Sequence, residues 1–595
     1  MVKLIRQLFS LLTTNQKRRF YILQILVVIM AFMEIIGVAS IIPFMAIVGD
    51  IGQLQQDTFI AYVFKNSGIK SESQFIFFLG IGVLIMLLIS SIISMFTAWR
   101  LALFAAKVGA EISERLYTHY LKQDWLFHAS GSSAGLTKKI HTEAGRVTGE
   151  IVMPLLQMNA RFVLVLFMSL TLFIYDPLVA IIGIIIFAIS YLLLFKVVRM
   201  SLQRNGIAIS ESSEERFRIM NESFGGIKDL LLLGRDNYFT KLFHETSQIL
   251  AYSLGANTAL TQIPRYLIEL VAFGSMIALL LYLIATNNGN LGLILPILSV
   301  YALATFKLLP AFQQLYASLA QIKGSMASFE SIQQDLADSA KISFESEQIY
   351  LNPKENISLK NITFTYPNKK EAALNQLDLL IQVNSVVGIV GPSGSGKSTL
   401  IDVLLGLIQP QKGNLMIDGK VINDKNRRHW QNTIGFVAQS IFLSEGTIAN
   451  NVAFGIPQNH IDLEKVKYVL NLAQLSELIE TLEHGIHTKV GERGVQISGG
   501  QRQRIGIARA LYNKAEVLVF DEATSSLDGI TEKTIMESIH HFGGNKTIIM
   551  IAHRLKTVQK CDQIFFINQG QVEDRGSYQE LLERNEHFKK MAAHS

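Results

Sequence analysis

The sequence predicts a helical membrane domain of six spans over residues 1–330, a linker over 331–355, and an α/β domain built on a phosphate-binding loop over 356–595. Three observations predict it. The chain has 595 residues and a mean hydropathy of +0.31, too long for one ordinary domain and too apolar for a soluble chain of that size. Its apolar runs crowd the first 330 residues, whereas short strands, turns and amphipathic helices follow Lys341. In that second half a glycine-rich loop stands between an apolar strand and a helix.

The spans come first. The run from Tyr21 to Val48 is longer than the apolar core of a secretory signal peptide, so it reads as a membrane helix. Six such runs occur, at roughly 20–49, 74–99, 153–175, 177–198, 265–287 and 291–312, each near the ~20 residues that a bilayer core demands. The connections Tyr175-Asp176-Pro177 and Asn287–Asn290 are short and lack Lys and Arg, which places them outside. The segments 100–152 and 199–264 are long, charged and helical in pattern, with Arg100, Lys107, Lys122, Lys138, Lys139, Arg199, Arg204, Arg216 and Arg218. They belong inside, with the C-terminal domain and both termini. The formal charge of +6 reflects this bias, because the basic residues flank apolar spans, as at Lys17-Arg18-Arg19, and form no basic domain for nucleic acid. The single cysteine, Cys561, excludes an internal disulfide and a cysteine-rich metal site. In the first outer connection, Phe59, Ile60, Val63 and Phe64 have helical spacing, which fits either a surface amphipathic helix or a solvated loop with apolar content.

The second half carries the chemistry. Gly391, Ser393, Gly394, Ser395, Gly396, Lys397, Ser398 and Thr399 form a complete phosphate-loop pattern after the strand Val386–Val390 and before a helix. Its glycines let successive backbone N–H groups face phosphate oxygens, Lys397 adds a positive charge, and the Ser398 hydroxyl suits Mg²⁺. These features predict binding of a nucleotide's phosphates with Mg²⁺. Val517–Phe520 is an apolar strand that ends in Asp521, a carboxylate suited to Mg²⁺, with Glu522 beside the γ-phosphate.

The motif order resembles the ATP-binding cassettes of ABC proteins: the phosphate loop, then Ile497-Ser498-Gly499-Gly500-Gln501, then Asp521-Glu522. The family usually has Leu where this chain has Ile497. The resemblance implies that Glu522 is the general base or positions the lytic water, that His553 contacts the γ-phosphate, and that Gln439 connects Mg²⁺ and that water to the membrane domain. It makes Tyr366 an aromatic platform for adenine, Ser526-Leu527-Asp528 a D-loop, and Gly491–Gly494 a loop that senses coupling helices. In the family two cassettes sandwich ATP head to tail, so Ser498 and Gly500 act on the partner's nucleotide. One cassette and six spans therefore imply a homodimer with two hydrolysis-competent sites.

Long cytosolic extensions between spans two and three, and between four and five, resemble ABC exporters. Each extension in that family carries a coupling helix that seats on a cassette. The breaks Gln123–Gly131 and Asn221–Gly226 fit this role, with Trp125, Phe127 and Phe224 as anchors or as ordinary helix–helix packing. The expected protein is thus an ATP-driven transporter, multi-pass in the bacterial inner membrane.

The cargo is read from charges inside the spans. At 1.5 Å per residue, Arg161 lies roughly 21 Å below the outer end of its span and Lys307 roughly 24 Å below the start of its own. Both fall in the inner-leaflet half, with Arg265 and Arg100 near the inner boundary. Either they meet an anionic lipid head group, or Arg161 and Lys307 pair with Glu34 or Glu269 as bridges between helices. The stretch from Glu34 to Phe44 and the long first outer loop resemble bacterial lipid-linked oligosaccharide flippases, which implies a polyprenyl-pyrophosphate glycan as substrate. A lipid A or phospholipid flippase and a drug or peptide exporter are the alternatives. An ATP-gated channel or regulator is a further class, which the intact Glu522, His553 and signature disfavour.

Overall fold

The structure is a computed structural model that describes all residues other than 1–5, 8, 11, 50, 56–58, 70, 176, 287–290, 340–348, 368, 492–496, 514, 523–533, 536, 538–545, 553, 594 and 595. The chain divides into two compact units, Met1–Gln123 with Ser130–Ser343, and Asp124–Ala129 with Phe344–Ser595.

The first unit is helical. Thr13 caps its opening helix, Thr14–Ala39, through a reciprocal box with Gln16 that satisfies two end donors. Among the described residues five stretches are long and apolar enough to cross a membrane: Thr14–Met45, Glu72–Leu121, Ser133–Ile174, Ala180–Gly225 and Asp236–Tyr282. The helix Leu291–Gly324 covers the residues of the sixth expected span, and the helix Met326–Ser339 runs into the expected linker. Leu84, Leu88, Met95, Leu192 and Val197 are exposed, as befits helices whose outer face meets lipid rather than water. The inward faces instead carry polar pairs. Asn159 donates to Gln24 at 2.5 Å and Gln314 donates to Gln157 at 2.9 Å, which is how polar side chains are satisfied between membrane helices. Close backbone approach sets one crossing, since a Cβ on Gly206 would lie 2.0 Å from the carbonyl oxygen of Gly324.

In the first outer connection a helix forms over Phe59–Asn66, and the Phe64 ring packs edge-on against Phe75 at 5.0 Å. Residues 56–58 of that connection, residue 176 and residues 287–290 lie outside the described residues.

The second unit holds two sheets. Strands β1 (Asn356–Phe364), β2 (Leu374–Gln382), β4 (Lys412–Ile417) and β5 (Lys420–Val421) form an antiparallel sheet in the order β2-β1-β4-β5. Strands β3 (Val386–Val390), β6 (Ile434–Val437), β7 (Val517–Asp521), β8 (Thr547–Ile551), β9 (Gln563–Asn568) and β10 (Gln571–Gly576) form the other, in the order β10-β9-β3-β8-β7-β6. All its neighbours pair in parallel except the edge strand β10. A parallel sheet is covered on both faces, so its strands are apolar throughout rather than alternating. Val386, Val390, Leu518, Phe520, Ile548, Met550, Ile564 and Phe566 enter one core. Their sequence neighbours Val387, Ile389, Val517, Val519, Ile549, Ile551, Phe565 and Ile567 enter the opposite one. The two-residue period of a strand produces this division.

Candidate functional site

The phosphate loop follows the C-terminal end of β3, where ligands bind in open parallel sheets. Val386–Val390 is fully buried and fixes the loop's base. Gly394 and Gly396 adopt positive φ of 78° and 102°, and a Cβ on Gly396 would lie 2.6 Å from the carbonyl oxygen of Ala373. Glycine is therefore demanded at 396 by both backbone and space. The helix Lys397–Leu404 starts directly from it, so its N-terminal N–H groups face the loop as an anion site would require.

Lys397 is buried, and its ammonium donates to the carbonyls of Gly391 and Pro392, both at 2.8 Å. Burial pushes its pKa down, while Glu522 and Asp521 pull it up. Ser398 is exposed on the loop side and Ser395 is buried beneath it. Thr399 exchanges a hydrogen bond with the Tyr366 hydroxyl at 3.2 Å, and the Tyr366 ring lies edge-on to Phe364 at 5.0 Å. Tyr366 is half-buried, anchored from the loop side rather than free to swing.

Asp521 ends β7, one strand beyond β8 from the phosphate loop. Glu522 follows with φ +48°, a left-handed conformation that costs a non-glycine residue roughly 1–3 kcal/mol. Its N–H donates to the carbonyl of Ile551 at 3.1 Å, which anchors the strained turn to β8. The Gln439 amide donates to the Glu522 carboxylate at 2.7 Å. Two residues assigned separately from sequence are thus one contact. Ser398, Gln439 and Asp521 offer hydroxyl, amide and carboxylate oxygens, a hard donor set that fits Mg²⁺. Ser498 caps the helix Gly499–Tyr512 in a reciprocal box with Gln501, at 3.0 and 3.3 Å, so this N-terminus, with Gly499 and Gly500 in its first turn, is rigidly presented. His553, Ser526–Asp528 and residues 492–494 of the Gly491–Gly494 loop lie outside the described residues.

The first cytosolic break is built into the second unit. Asp124 accepts from Arg427 at 3.1 Å, the Trp125 side chain hydrogen-bonds Asp402, and Leu126 packs against the core that contains Val387 and Ile389. Burial pushes the Asp402 carboxyl up to about 6, against the Trp125 hydrogen bond, with Asp521 adding to the rise. Trp125 and Phe127 are 44% and 38% exposed, and the smaller Leu126 is the residue of this break that packs, partly buried, against that core. At the second break Phe224 is 71% exposed among the described residues. Leu126 was missed because the reading favoured aromatic bulk, and the Arg427–Asp124 pairing spans 303 residues with no local signal.

Inside the membrane domain Arg161 and Lys307 converge on one carboxylate. Arg161 Nη1 lies 3.7 Å and Lys307 Nζ 3.8 Å from Glu34, which also accepts from Ser94 at 2.9 Å. Arg265 and Arg100 do not join them. Arg265 pairs at 2.7 Å with Glu269 one turn along its own helix, and Gln313 donates to the same carboxylate at 3.2 Å. Arg100 is exposed and its guanidinium lies 5.9 Å from the Phe96 ring centre.

Two family profiles match this chain, ABC transporter transmembrane region over residues 39–315 and ABC transporter over residues 374–525. The chain belongs to the ABC transporters. It is an exporter half-transporter, a membrane-spanning domain followed by a cassette, and it couples ATP hydrolysis to transport as a multi-pass membrane protein. It is similar to the ATP-dependent lipid A-core flippase of Photorhabdus laumondii subsp. laumondii, 26% identical over 87% of this chain and 88% of the relative. The protein of that name from Yersinia pestis is 26% identical over 88% and 90% of the two chains. That of Ralstonia nicotianae is 37% identical over 39% of each. A bacterial Atm1-family ABC exporter with ATP bound superposes with a TM-score of 0.79 over 97% of this chain and 98% of its own, at 20% identity, a likeness of fold. These relatives carry the name of the lipid A alternative rather than of the lipid-linked oligosaccharide reading.

Proposed function

We propose that this ABC exporter is an ATP-driven flippase for an anionic, phosphate-bearing lipid of the lipid A type, working as a homodimer in the bacterial inner membrane. One observation carries the reading. Two cations from different membrane helices share a single carboxylate, which leaves the cluster with one net positive charge in the inner-leaflet half of the domain. The relatives' names support it. A polyprenyl-pyrophosphate glycan has the same head-group chemistry and is the competing substrate.

On this reading the backbone of Gly391–Gly396 and the Lys397 ammonium bind the β- and γ-phosphates of ATP, and Tyr366 supports the adenine. Ser398, Gln439 and Asp521 would hold Mg²⁺, which supplies charge neutralisation at the transferred phosphoryl group. Glu522 orients and deprotonates the attacking water, fixed by Gln439, with His553 at the γ-phosphate. Ser498 and Gly500 complete the site of the second copy. The cassette and both termini are cytoplasmic.

The test is ATP hydrolysis by the purified protein in nanodiscs, titrated with lipid A or with a polyprenyl-pyrophosphate oligosaccharide. Stimulation by lipid A that Arg161→Ala and Lys307→Ala abolish is the expected result. Stimulation by the glycolipid alone moves the substrate to the competing class, and indifference to both overturns the proposal.

A further inference from the structure

Glu34 is 7% exposed at its side chain, whereas Arg161 and Lys307 are 40% and 36% exposed. The carboxylate is therefore the fixed element and the cations are the open ones. Its short hydrogen bond goes to Ser94 on the helix Glu72–Leu121, at 2.9 Å. Its two ion pairs, at 3.7 and 3.8 Å, exceed the roughly 2.7–2.9 Å of a charge-assisted hydrogen bond. A bridge that served only to hold helices together would match charges and close these distances, because a buried ion pair offsets its desolvation only with good geometry. This cluster does neither. It holds two cations for one carboxylate, and the guanidinium and ammonium keep donors for another partner.

We infer that Glu34 is an internal counter-anion that competes with the lipid's phosphate for Arg161 and Lys307, and so sets both how tightly the head group is held and how readily it leaves. The inference rests on the anionic-lipid reading above. When phosphate enters, the cations turn from a carboxylate that stays anchored on Ser94, and when phosphate leaves, that carboxylate takes them back. Glu34 thereby weakens ground-state binding that would otherwise hold the lipid and slow release, since tighter binding of the bound state alone does not raise turnover.

The experiment is lipid A-stimulated ATP hydrolysis by the full-length protein in nanodiscs, comparing wild type with Glu34→Gln and Arg161→Ala. Glu34→Gln should lower the half-stimulating lipid A concentration at least ten-fold, about 1.4 kcal/mol, and lower the maximal stimulated rate in the same titration. The ten-fold shift should be absent with zwitterionic phosphatidylcholine. Glu34→Asp keeps the anion but withdraws it by one methylene, so a smaller shift in the same direction is expected, and this variant carries the test if the amide fails to fold. Stimulation that depends on Arg161 but is unmoved or weakened in both Glu34 variants overturns the counter-anion role and leaves the anionic-lipid reading standing. A wild type indifferent to lipid A overturns both.

Discussion

Glu522→Gln separates loss of a base from loss of a fold, because the structure bounds the structural cost. Glutamine keeps the side-chain length and an oxygen acceptor, so the Gln439 amide still has a partner where it now sits 2.7 Å from the carboxylate. A hydrogen bond to a charged group is worth roughly 1.5–3 kcal/mol and a neutral one roughly 1, so the fold loses at most ~2 kcal/mol. The φ of +48° and the N–H bond to Ile551 are backbone features that both residues share. Lys397 loses one of the two carboxylates that oppose its burial, which makes it no worse a ligand for phosphate once ATP is bound. The chemical cost is larger, since a positioned general base contributes roughly 10²–10⁴-fold to the rate, about 2.7–5.4 kcal/mol. The variant should therefore melt near the wild-type temperature, bind a fluorescent ATP analogue with unchanged or tighter affinity, and hydrolyse ATP at least roughly a hundred-fold more slowly. Turnover within a factor of about three of wild type, with ATP binding intact, would refute the assignment of Glu522.

The other predictions follow from single contacts. Gly396→Ala adds a Cβ 2.6 Å from the Ala373 carbonyl oxygen at a φ of +102°, so ATP-analogue binding should be lost while far-UV circular dichroism stays unchanged. Leu126→Ala removes a partly buried side chain that packs against the cassette core. It should abolish the lipid-stimulated increment of hydrolysis while ATP binding persists, read by titrating ATP analogue and lipid on the same sample. Asp402 has a folded pKa raised from 3.8 to about 6, so the stability it contributes is present below the lower value and lost as pH rises through the upper. Asp402→Asn should raise the melting temperature most above pH ~6, with the gain shrinking toward pH ~4. An equal gain at all pH values would contradict the burial argument.

What was legible in the sequence was local. Gly391–Thr399 is a continuous motif whose every residue touches the loop or its flanking strand and helix, and β3 and β7 announce themselves as apolar runs because both sheet faces are covered. The contact of Gln439 with Glu522 was not read from the sequence, where the resemblance gave each a separate role and 83 residues separate them. The cluster at Glu34 was legible as a choice between ligand site and bridge, and three-helix packing turns that choice into a combination, two cations on one carboxylate. Arg265 pairs with an acid one turn away on its own helix, which the sequence reading weighed only as a partner for Arg161 or Lys307. The oligosaccharide reading leaned on eleven residues of one span and on the length of the first outer loop, too little to fix a substrate.

The helix Lys397–Leu404 ties these elements into one device. Its first residues, Lys397 and Ser398, belong to the phosphate loop, and Asp402, five residues after Lys397 and so ~7.5 Å along the axis, meets Trp125. On the proposed function, this single eight-residue helix would carry a displacement at the phosphates to Trp125. Trp125 lies in Asp124–Ala129, a segment the chain sends from the membrane unit into the cassette unit and back, with Ser130 returning to the first. Leu126 and the Arg427–Asp124 pair hold it there from two further sides. Gln439, two residues past the end of β6, meets the proposed base Glu522 through a solvent-exposed bond. The two routes therefore differ in kind. On the proposed function, Asp402–Trp125 would tie the phosphate-loop helix to the segment Asp124–Ala129, and Gln439–Glu522 would be a contact for which the nucleotide competes. Breaking the first should uncouple transport from hydrolysis while ATP still turns over, whereas breaking the second should slow the turnover itself.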